Sequence, residues 1–234
     1  MSAHPQNRPV ADIHRAIQAY WGDSRGEYHR YRSWEHCYQY FQEQGQAGVL
    51  RNRDTAALHL GFYLASWGMY RGSSFLLQRD YKVHENVIDV LAESQYALLW
   101  GRDLGASPDV AQLAPAVMNL VSAIREAYRP FVPATGTAQP TDTLVTKIIL
   151  GALGIVPACD RFFIDGLKVA GYQYSYVNEV FVKRMVDFCQ KNLDELRAEQ
   201  AAIAADTGVH YPLMKLVDMY FWQLGMEGGA EVNE

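Results

Sequence analysis

Lys147 and Asp160 are the pair whose residue types and setting point to covalent chemistry. They lie in LVTKIILGALGIVPACDRFFIDGL, residues 144–167. A lysine held away from water can act as a neutral amine nucleophile. A tight Gly154-Ile155-Val156-Pro157 connection then leads to Asp160, placed in the first turn of the next predicted helix. An acid there suits the helix dipole. A purely structural account of the same residues is that Asp160 caps a helix or pairs with Lys147 or Arg161.

Two further stretches carry binding chemistry. In RGEYHRYRSWEHCYQYF, residues 25–41, Arg25, Arg30 and Arg32 alternate with Tyr28, Tyr31 and Trp34. Cations between flat rings are what single-stranded nucleic acid asks of a protein: charge for phosphates, faces for bases. The competing account is a helix, capped by Ser33, whose Trp34, Cys37, Tyr38 and Phe41 are core. In Arg71-Gly72-Ser73-Ser74 a helix end would be followed by a new helix start, so Arg71, Ser73 and Ser74 form an anion-site candidate, extended by Lys82. An ordinary C-cap followed by an ordinary N-cap explains the same residues.

The 144–167 segment resembles the part of helix-hairpin-helix DNA glycosylases that carries a lysine and, after a Val-Pro turn, an aspartate. The residues TDTLV stand where that family has its glycine hairpin. The resemblance implies Lys147 as nucleophile, Asp160 as the acid, and a base flipped into an aromatic pocket. No GxGxxG, GxxxxGK[ST], HExxH or GxSxG motif is present. The His and Cys residues show no metal spacing, so neither a cofactor nor a metal is expected. Cys37, Cys159 and Cys189 fall on or near apolar faces and read as buried, inert thiols.

These groups must be positioned by helices, because no alternating strand pattern of useful length exists. The most apolar stretch, Thr55 to Tyr70, predicts a central buried helix capped by Asp54, with Ala57, Gly61 and Ala65 forming a smooth stripe for close approach. Further helices are expected over 9–21, from Ser33 to Gly45, 80–99, 107–128 with a kink at Pro115, 143–153, 158–169, 175–204 and from Pro212. The expected fold is all-α, roughly nine helices around the helix at about 55–70, in one domain. The Pro/Gly-rich loop 130–142 is the candidate subdomain boundary.

Composition narrows the function. The formal charge of −5 does not announce a nucleic-acid binder, and 49% hydrophobic residues suit a chain with a real core. The odd, scattered cysteines and the polar first residues suggest a cytoplasmic protein, and no stretch reaches membrane-spanning length. The leading expectation is an interaction or scaffold module that self-associates or takes a protein partner, on the strength of the long 175–204 helix and the aromatic excess. The alternative is nucleic-acid association through residues 25–41, and the third is an enzyme using Lys147 and Asp160.

Overall fold

Helices and turns account for all the regular structure in the computed structural model, which describes residues 12–26, 28–133 and 139–230. The expected all-α fold is observed, with no strand among the described residues. The α-helices are α1 (Ile13–Ser24), α2 (Arg32–Arg51), α3 (Arg53–Ser66), α4 (Glu85–Leu91), α5 (Val110–Tyr128), α6 (Asp142–Ala152), α7 (Arg161–Val169), α8 (Glu179–Lys191), α9 (Leu193–Thr207) and α10 (Leu213–Ala230).

Several boundaries differ from expectation, each for a local reason. The central helix starts at Arg53, so Asp54 lies in its first turn and accepts the Tyr81 hydroxyl rather than capping. It ends at Ser66, earlier than Tyr70. Gly68 takes a left-handed φ of 75°, and the Gly68 and Met69 amides turn back to Ala65 and Leu64, the double bond of a Schellman stop. Gly61 gives close approach as expected, but to a short turn: a Cβ there would lie 2.8 Å from that of Tyr81. α3 packs against α2, α4 and α6 while its outer face leaves Leu58 and Phe62 exposed.

The expected 80–99 helix is three pieces: a 3-10 turn over Tyr81–His84, then α4, then a 3-10 turn over Ser94–Leu99. The 175–204 helix is also divided, into α8 and α9, where Asn192 leaves helical geometry (φ −121°, ψ 28°). α5 instead runs through Pro115 as one helix. Ser33 does not cap α2; its hydroxyl donates to the Arg30 carbonyl. Ser73 and Ser74 start no helix. Within loop 130–142, residues 134–138 lie outside the described residues.

Two helices matter most for the site. Every residue of α6 from Leu144 to Ala152 is buried, and α10 is covered by α1, α7, α8 and α9. α7 and α10 cross so closely that a Cβ on Gly166 would sit 1.7 Å from the Phe221 carbonyl oxygen, and one on Gly225 would sit 1.9 Å from that of Phe162. Only two facing glycines allow such backbone contact.

Candidate active site

Lys147 projects from the middle of α6 toward the end of α3. The Schellman stop frees the Trp67 carbonyl from the helix ladder, and Lys147 Nζ donates to it at 3.1 Å. The ammonium also lies 5.4 Å from the Trp67 ring centroid. Asp160 comes from the other side. It is the N-cap of α7, not a first-turn residue: Oδ1 accepts the Phe163 amide at 3.2 Å, while Oδ2 stands 3.4 Å from Lys147 Nζ. One carboxylate therefore both caps its helix and faces the lysine, joining the two accounts that the sequence offered.

The turn carrying Asp160 is pinned on both sides. The Cys159 amide donates to Thr146 Oγ1 at 2.9 Å, and the Cys159 carbonyl accepts from Thr143 Oγ1 at 2.7 Å, both from α6. The Ala158 amide donates to Asp218 Oδ1 of α10 at 2.9 Å.

Lys147 and Asp160 open onto a cavity of about 480 Å³, within the range of small-molecule sites. Tyr31, Trp67, Phe162 and Trp222 line it and form a continuous chain of ring contacts: Tyr31 is 5.2 Å from Trp67 and 5.8 Å from Trp222, which is 5.2 Å from Phe162. Ser74, Thr141 and Thr143 contribute hydroxyls, and Arg30, Arg71 and Arg161 stand at the exposed edge. Among the described residues, the arginines in ion pairs are Arg15, Arg25, Arg32, Arg53, Arg125 and Arg129. The three edge guanidiniums are not among them. Arg30 and Arg161 lie instead over the neighbouring Tyr31 and Phe162 rings, at 5.1 and 4.5 Å.

Burial dominates the electrostatics of Lys147. It lowers the lysine's pKa, Asp160 and then Asp218 oppose that fall, and Arg71 adds to it. The neutral amine is thus easier to reach than on an exposed lysine, with a carboxylate beside it to take a proton.

Not every singled-out residue joins this site. Arg30 and Tyr31 do, but Arg25 pairs with Asp206 and Arg32 with Glu35. Trp34 is core, with its indole N–H on the Leu150 carbonyl. Tyr28 is exposed away from the cavity lining. Of the anion candidates, Arg71 and Ser74 line the cavity, Ser73 does not, and Lys82 lies 3.7 Å from Asp54. Trp67, Arg161, Phe162 and Trp222 are not site residues in the sequence reading, where Arg161 enters only as a pairing partner for Asp160. All three cysteines are buried, and among the described residues no cluster of His, Cys, Asp and Glu suits a metal ion.

No known family model matches the chain, and neither the curated proteins nor the solved structures contain a similar one. The likeness to helix-hairpin-helix glycosylases therefore rests on residues 144–167 alone.

Proposed function

We propose that this cavity is the active site of an enzyme acting on a nucleotide within a nucleic-acid strand, with Lys147 as an amine nucleophile directed at the sugar carbon that bears the base. The observation that carries the reading is Lys147 itself: buried, lowered in pKa, 3.4 Å from Asp160, and open to a cavity that combines rings with guanidiniums. A lysine nucleophile alone would suit any carbonyl or acetal-like carbon. The rings favour a flat base, and Arg30, Arg71 and Arg161 favour phosphates on either side of it.

In this reading neutral Lys147 Nζ forms a bond to C1′ while the bond from C1′ to the base nitrogen breaks. The base leaves with the electron pair and is protonated from solvent. Asp160 offsets positive charge at C1′, accepts the proton that Nζ sheds and returns it to the ring oxygen, which leaves C1′ with its bonding pair as the sugar opens to an imine on Lys147. The expectation of a scaffold drew on the 175–204 helix and the aromatic excess. That stretch is divided at Asn192 into two shorter helices, and four of the rings line the cavity, which favours this reading.

The test is release of free base, read by mass spectrometry, from oligonucleotides carrying oxidised, alkylated or deaminated bases. The wild type releases one of these bases, while Lys147→Gln and Asp160→Asn release none. Equal release by Lys147→Gln would remove Lys147 from the chemistry.

A further inference from the structure

A second lysine–aspartate pair lies behind the site, and the chemistry above does not use it. Lys215 and Asp218, both on α10, are 2% and 1% exposed as side chains, with Nζ to Oδ2 at 2.8 Å. The ammonium is boxed by Tyr20, Trp34 and Trp67, at 5.0, 5.2 and 4.7 Å from the ring centroids, and also donates to the Tyr20 hydroxyl at 3.3 Å. A buried ion pair is a poor stabiliser, because taking two charges out of water costs about what their attraction returns. An apolar pair would fill this space as well for the fold alone. The other Asp218 oxygen gives the pair a local task. It accepts the Ala158 amide, two residues before Asp160.

We propose that Asp218, with Lys215 as its counterion, is a positioning residue that acts through Ala158 to hold the Asp160 carboxylate against Lys147. This rests on the reading of Lys147 and Asp160 as the reacting pair. Without the Asp218 contact the turn keeps its two ties to α6, through Cys159, and loses its tie to α10. Asp160 is then free to swing toward solvent, which its partial exposure permits.

The charged and titratable groups around the pair make the consequence readable. Lys147 faces Asp160 before α7, Asp218 on α10 and Arg71 after α3. Asp218 in turn faces Lys215, Asp160 and the hydroxyl-bearing rings Tyr20 and Tyr63. Loss of Asp218 removes one carboxylate near Lys147 and loosens the other, so the Lys147 midpoint moves to lower pH.

The experiment is competitive labelling of the full chain with trace acetic anhydride across pH, with the Lys147 peptide quantified by mass spectrometry; it requires no nucleic acid. The key variant is Lys215→Met/Asp218→Leu, which swaps the ion pair for apolar side chains and leaves no buried charge alone. We expect it to stay folded, with the labelling midpoint of Lys147 shifted to lower pH and base release slower than in the wild type. Asp218→Asn, which keeps an acceptor for Ala158, should shift the midpoint less. A folded double variant with an unchanged Lys147 midpoint would overturn the proposal. If the double variant does not fold, Asp218→Asn and Asp218→Ala decide it: both lose the charge and only Asp218→Ala loses the acceptor for Ala158, so a midpoint lower in Asp218→Ala than in Asp218→Asn supports the proposal and equal midpoints refute it. A shifted midpoint in a protein that releases no base would sink the nucleotide reading and leave the positioning role standing.

Discussion

At the scale of single residues, Lys147 should show the conflict between stability and chemistry. Burial holds its pKa below the ordinary lysine value, so the unfolded chain binds the proton more tightly. Stability attributable to this residue therefore rises with pH, from the folded pKa up to about 10.4. Lys147→Met removes that penalty and leaves Asp160 capping α7. We expect unfolding free energy at pH 7 to be unchanged or raised by up to about 1 kcal/mol, with the difference shrinking toward pH 10. Thermal melts across pH check this, and a large loss at pH 7 would mean that the Asp160 contact outweighs burial. The pair was legible in the sequence through the resemblance of residues 144–167 to a helix-hairpin-helix glycosylase segment, and the turn through Val156 and Pro157 placed the acid at the start of the next helix. Lys215 and Asp218 left no such signal: spaced i, i+3 on the side of the helix opposite Leu213, Leu216, Val217 and Tyr220, they read by periodicity as a solvated charge pair.

At the scale of elements, the cavity wall depends on how closely α7 and α10 approach. Phe162 and Trp222 reach the site from these two helices, and Gly166 and Gly225 set their separation. Gly166→Ala cannot be absorbed by a side-chain movement, since its nearest neighbour is backbone. We expect a loss of about 3 kcal/mol, the upper end of ordinary overpacking, read by urea unfolding, together with a sharp loss of activity as the two rings move apart. A fully stable Gly166→Ala protein would mean that the crossing is looser than described here. Helix existence was legible at this scale because periodic apolar positions and absent strand patterns depend only on local sequence. Helix ends were less so. The stop at Gly68 competed with a second glycine at Gly72, and both take positive φ. The 80–99 and 175–204 stretches kept an apolar stripe across breaks that are set by packing, which periodicity does not register.

At the scale of the whole molecule, net charge proved a weak guide to the site. A chain of charge −5 still brings to one cavity edge, from separate segments, three arginines that make no ion pair among the described residues. The convergence of Arg30, Arg71 and Arg161 with Lys147 was illegible in the sequence because it needs α2, α3, α6 and α7 assembled together. The central claim is that Lys147 forms a covalent imine with the sugar of a nucleotide. Its most direct measurement is reduction with sodium borohydride during turnover on a labelled oligonucleotide, followed by peptide mapping of any cross-linked protein. The account predicts one stable protein–nucleic-acid adduct on Lys147 that disappears in Lys147→Gln. An adduct on another residue, or base release that leaves no trapped species at all, would contradict it.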